Sequence, residues 1–108
     1  MSSTHRPQPA FLQQVLGHLI NGSTVSSEGG RTIAVENPAT AEVVAHVPEG
    51  TAADVDRAVV AARKAFDSGV WRKNTAVDRE RILWMLSDLL EQHLDELVEL
   101  EVIDNGMP

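Results

Sequence analysis

Two threonines, Thr51 and Thr75, are each followed three positions later by an aspartate, Asp54 and Asp78, and then by apolar residues at helical spacing. No other feature constrains the fold as much. A hydroxyl and a carboxylate so placed can satisfy each other's free amide at a helix start, where the carboxylate also meets the positive end of the helix dipole. Helices are therefore expected to begin near residues 51 and 75. The residues before the first box must form something else.

That first half reads as short strands joined by turns. His18-Leu19-Ile20 runs into Asn21-Gly22, a strong hairpin signal because both turn residues tolerate positive φ, and Ser23 to Ser26 is the return strand. Glu28-Gly29-Gly30 marks a second turn. Arg31 to Glu36 alternates, with Ile33 and Val35 on one face, until Asn37-Pro38-Ala39-Thr40 breaks it, since Pro38 has no N–H to give a ladder. Glu42 to Val47 is the next strand, closed by Pro48-Glu49-Gly50. Ahead of them, residues 1–16 carry Pro7 and Pro9 and no sustained period, and are expected to form a flexible arm.

The second half changes period. Val55, Val59, Ala62 and Phe66 form one apolar stripe on a helix ending at Asp67-Ser68-Gly69, with Asp56, Arg57, Arg63 and Lys64 in water. The helix opened by Thr75 runs to about Gln92, and its apolar residues from Ile82 to Leu90 cover more than one face. It is expected to be buried on two sides, with Trp84 in a core. A third helix, or a bent continuation after His93, carries Leu94, Leu97, Val98 and Val102, and Asn105-Gly106 stops it. The expected fold is an α+β piece: short strands followed by about three helices.

Charge and composition exclude several functions. From Asp88 to Asp104 there are seven acids and no base, within a net charge of −7. A duplex-binding surface needs Lys and Arg to displace counterions, so nucleic acid is not an expected partner. The acidic run reads as a solvated helix face. The longest apolar runs fall far short of the about 20 residues of a membrane helix, and no membrane partner is expected. The first residues lack the pattern of a secretory signal, so a cytoplasmic address is expected. There is no cysteine, hence no disulfide and no thiolate nucleophile in these 108 residues. The four histidines form no His-x-x-x-His pair, and ordinary helix polarity explains His93 beside Asp95 and Glu96. There is no Gly-x-Ser-x-Gly elbow and no phosphate-cradling glycine loop. On these grounds no catalytic and no cofactor-binding residue is assigned.

Several stretches in register nevertheless resemble one family. They are Leu19-Ile20-Asn21-Gly22, Glu36-Asn37-Pro38-Ala39-Thr40, Val47-Pro48-Glu49-Gly50, residues 53–59 (ADVDRAV), residues 61–66 (AARKAF), Trp71, Arg79 to Leu83, and Leu100-Glu101 with Asp104-Asn105-Gly106. Their order and spacing resemble the N-terminal part of the NAD(P)-dependent aldehyde dehydrogenase superfamily, from about residue 17 to residue 108. Ala41 and Met107 stand where other residues are more usual.

The resemblance implies an α/β family fold, with residues 17–108 forming an incomplete N-terminal part of the cofactor-binding domain. It implies NAD or NADP as cofactor, an aldehyde as substrate, and the rest of the enzyme or a homo-oligomer as partner. In that family a cysteine thiolate attacks the carbonyl, hydride passes to the nicotinamide, and a glutamate-activated water hydrolyses the thioester. The cysteine, the glutamate and the nucleotide loop belong to later sequence, so the chain alone is expected to be inert. The resemblance also implies a monovalent-cation site on main-chain oxygens of Val35 and Glu36 and the carboxylate of Asp104. Two readings of the chain stand beside each other: a partial enzyme, or a non-catalytic interaction module derived from the family.

Overall fold

The computed structural model describes residues 9–107; the start of the expected arm, His5 among it, and Pro108 lie outside the described residues. Four strands precede three helices, in the order expected. Strands β1 (His18–Ile20) and β2 (Ser23–Val25) form one antiparallel hairpin, and β3 (Thr32–Glu36) and β4 (Val43–Pro48) another. Helices α1 (Ala52–Ser68), α2 (Ala76–Gln92) and α3 (Leu94–Asn105) follow. No described helix is long and apolar enough to cross a membrane.

Turn chemistry fixes the hairpins. Asn21 and Gly22 both take positive φ, 52° and 74°, the mirror-image turn that matches strand twist, and His18 pairs with Val25. In the second hairpin Asn37 closes the turn. Its carbonyl accepts the Thr40 and Ala41 amides, its side-chain oxygen accepts the Ala39 amide at 2.9 Å, and its own amide donates to the Glu42 carbonyl. The last strand starts one residue later than expected and ends on Pro48, which pairs with Thr32 at the end of the ladder, where a missing N–H is tolerated. The expected arm is not structureless over its described part. Ala10–Gln13 forms a 3₁₀ turn, and the Phe11 amide donates to Oε1 of Glu96, 85 residues away, at 3.0 Å.

Both helix boxes form as expected. Thr51 and Thr75 each accept the amide three residues on, and Asp54 and Asp78 return the bond to the threonine amide. Gly69 and Gly106 end α1 and α3 in the left-handed conformation, at φ 69° and 70°. His93 is the junction between α2 and α3, its amide still bonded to Leu89.

Burial departs from expectation. The side of α1 covered by the chain carries Asp54, Ala58 and Ala61, whereas Val55, Val59 and Phe66 of the expected stripe are exposed. The packing partner on that side is β1, a three-residue strand that small alanines can approach closely. Trp84, expected in a core, is 64% exposed, and its indole N–H reaches Glu80 on its own helix at 3.4 Å. Every apolar residue of α2 from Ile82 to Leu90 is likewise exposed, and no hydrophobic side chain among the described residues is buried. Beyond its contact with α3, α2 has no layer against it among the described residues.

Candidate functional site

The second hairpin and α3 come together along one edge of the molecule. Val35, Ala45 and Val47 lie on one side of the hairpin, since Val35 pairs with Ala45 and Ile33 with Val47. With Leu97, Leu100, Glu101 and Asp104 of α3, they line a groove of about 340 Å³ to which Phe11 and Leu16 also contribute. The seam is closed at Gly106. A Cβ there would stand 2.8 Å from Pro38 Cγ and 2.9 Å from the Ala39 amide nitrogen, so the end of α3 touches the Asn37–Thr40 turn as only glycine allows. Asn105 braces the exit, accepting the Met107 amide and donating to Glu101.

Of the three residues expected to hold a cation, Val35 and Glu36 through main-chain oxygens and Asp104 through its carboxylate, two line the groove. Val35 and Asp104 line the same groove. Glu36 lies past an irregularity in the ladder between Val35 and Glu36, pairs with Val43, and is exposed outside the groove. Among the described residues no three of His, Asp and Glu gather as a metal-holding cluster. Two carboxylates, Glu101 and Asp104, line the groove together with Val35.

A second polar centre was not foreseen. Asp54, only 3% exposed, is more than half of a capping box. Its carboxylate accepts the Thr51 amide and hydroxyl, both at 2.9 Å, the Glu28 amide at 3.2 Å and the Arg57 guanidinium. The Ser27 hydroxyl lies 3.1 Å from the same carboxylate and also within reach of the Glu49 carbonyl. The Thr51 amide above all, with Arg57, the Thr51 hydroxyl and the Glu28 amide, holds the Asp54 carboxyl well below the usual carboxylate range, against the opposing pull of its burial. His18 closes the cluster from β1, with Nε2 3.8 Å from Asp54 and no hydrogen-bond partner among the described residues. At the other box the Thr75 hydroxyl and then its amide lower the Asp78 carboxyl. The Thr51–Asp54 spacing announces the cap; nothing in the local sequence announces that Ser27, Glu28 and His18 converge on it.

Neither centre carries a nucleophile with its base. The Asp54 cluster ties the turn after β2, the end of β4 and the start of α1 into one unit, and its carboxylate has no free face for a substrate. The groove is mostly apolar, with two acids of α3, Glu101 and Asp104, in its lining. Their chemistry is that of a brace and of a seam.

Comparison with known proteins bears on the family of the chain. The model of the aldehyde dehydrogenase family matches residues 24–108. The chain is 52% identical over 90 residues to aldehyde dehydrogenase family 2 member B4, mitochondrial, of Arabidopsis thaliana, covering 83% of this chain and 17% of that protein. It is 48% identical over 98 residues to the putative aldehyde dehydrogenase DhaS of Bacillus subtilis (strain 168), covering 91% of this chain and 20% of that one. Its backbone superposes on the NAD+ complex of an aldehyde dehydrogenase from Bacillus cereus with a TM-score of 0.85 at 46% identity, over 92% of this chain and 20% of that chain. The chain therefore spans about a fifth of the length of these relatives.

Proposed function

Because the chain belongs to the aldehyde dehydrogenase family, we propose that it forms the N-terminal part of the cofactor-binding domain of an NAD(P)-dependent enzyme that oxidises an aldehyde to a carboxylic acid. The carrying observation is one register seen twice, in the family match over residues 24–108 and in the backbone likeness at a TM-score of 0.85. A Bacillus cereus relative was solved with NAD+, which supports a nicotinamide cofactor for the whole enzyme. When bound, the nicotinamide supplies the acceptor for the hydride. The segment's own part is architectural: its hairpins and helices hold the seam and the brace described above.

The 108 residues alone do not turn over aldehyde, since they contain no cysteine to form a thioester. Incubation of the purified chain with NAD or NADP and an aldehyde tests this. Sustained formation of reduced cofactor would refute it. Replacing the matched segment of the Bacillus cereus enzyme with this chain tests the family role, and an active hybrid is expected.

The seam at Val35, Glu36 and Asp104 is proposed to take a monovalent cation. Hard cations are held by oxygen, and main-chain carbonyls with the Asp104 carboxylate suit a single charge. Sodium or potassium, but not a bulky organic cation at equal ionic strength, should slow amide exchange at residues 102–107, and Asp104→Asn should abolish that effect. The acidic run from Asp88 to Asp104 beside an uncovered α2 favours a second reading, a non-catalytic assembly module. A discrete, stable oligomer of the chain in light scattering would favour it.

A further inference from the structure

Resting on the reading above, we propose that the uncovered side of α2 and α3 is a docking surface competent in trans. The segment keeps its own shape and accepts, as a separate polypeptide, the part of an aldehyde dehydrogenase that this chain does not match. Three observations support this. The chain exposes 8893 Å² at a mass of 11.7 kDa. A compact monomer of that mass exposes about 5,900 Å². The excess is more than twice the roughly 800 Å² that one partner gives to a standard interface.

Part of the exposed surface is apolar and ordered along one helix. Ile82, Leu83, Leu86, Leu89 and Leu90 fall within one arc of α2 and are all exposed. Leu94, Leu97 and Val98 of α3 are exposed beyond them. The acids from Asp88 to Asp104 have no base among them, so the covering surface should carry an apolar centre with basic residues around it.

The contacts that shape the segment lie elsewhere. The Asp54 cluster, the two threonine caps, the Asn37 turn and the Gly106 seat are all made within the 108 residues, and none uses the outer arc of α2. A preformed surface with its own brace is what binding in trans requires. The relatives point to the occupant, since the match covers only 20% of the Bacillus cereus enzyme and leaves four-fifths of that chain to supply a cover.

The experiment co-expresses the tagged 108-residue chain with the Bacillus cereus enzyme lacking its matched segment. A covalent fusion of the two serves alongside. Co-purification of the two chains in equal amounts is expected, and Leu86→Glu in the tagged chain should lower recovery by roughly tenfold or more, since it places a charge in an apolar contact. Arg81→Gln, on the other side of α2, should leave recovery unchanged. An active fusion without co-purification of the separate chains would overturn the docking proposal and leave the family role standing. An inactive fusion alongside co-purification that Leu86→Glu abolishes would support docking and count against the role. Light scattering of the chain alone is the last arm. A stable dimer that the partner fails to displace would make a second copy the occupant, and would overturn the proposal.

Discussion

Replacing Gly106 with alanine isolates the seam between α3 and the second hairpin. Gly106 sits at φ 70°, where an L-residue costs about 1–2 kcal/mol. Its new methyl would also stand 2.9 Å from the Ala39 amide nitrogen and 2.8 Å from Pro38 Cγ, atoms of a closed turn that cannot rotate away. Overpacking of that kind adds about 1–3 kcal/mol. A stiffer unfolded chain offsets about 0.4–1 kcal/mol. The net destabilisation should be about 2–4 kcal/mol. Gly30 is the control, because it has nearly the same φ, 69°, and a methyl added there would meet nothing within 4 Å. At that position only the backbone penalty acts, about 1 kcal/mol after the same offset. Amide exchange at Gly106, whose N–H donates to the Val102 carbonyl at 2.9 Å, reads the effect directly. Each 1.4 kcal/mol is tenfold, so Gly106→Ala should speed exchange across residues 102–107 by about 30-fold or more. Equal acceleration of each substitution's own turn would refute the argument that the Ala39 contact, not the backbone angle, holds the seam.

Thr51→Ala removes an N-cap and should lower the stability of α1 by about 1 kcal/mol, read from exchange of the amides at residues 52–55. Thr75→Ala should cost α2 a similar amount but leave the turn at residues 27–29 untouched, whereas Thr51→Ala should loosen it, because only the first box reaches the turn. Asp54 is held below the usual carboxylate range in the folded chain, so its contribution is present above the unfolded value of 3.8 and is lost as pH falls toward the folded one. Acid titration by circular dichroism should show loss of structure below about pH 4; Asp54→Asn should flatten that dependence and weaken the chain at neutral pH. An environment-sensitive apolar dye should bind the chain strongly, and Leu86→Glu with Leu90→Glu should reduce the signal, as the exposed α2 arc demands.

Local codes explain what could be read before the structure was known. Asn21-Gly22, Pro38, the two threonine boxes and the glycines at 69 and 106 each act within a few residues, and each performs as its chemistry dictates. The side of α1 that is covered could not be read that way. Its apolar stripe marks where a cover fits, but the neighbour in this chain is a short strand that packs on alanines instead. The candidate site shows the same division. Val35 and Asp104 line one groove because α3 returns to the hairpin, which no local pattern encodes, whereas Glu36 faces away from Val35 as strand alternation requires. The Phe11–Glu96 and Ser27–Asp54 bonds span 85 and 27 residues, and no periodicity encodes them.

The bare arc of α2 also has a duration. In the Arabidopsis relative the matched 90 residues are 17% of the protein. The rest of that protein is several times longer, and at about 5–20 residues per second the synthesis of a few hundred residues takes some tens of seconds. A hairpin-and-helix unit of this kind, made before its cover, would hold its leucine-rich helix toward water or a chaperone for a time of that order. The acids from Asp88 to Asp104, beside the leucines, give that waiting surface a like-charge repulsion between neighbouring nascent chains.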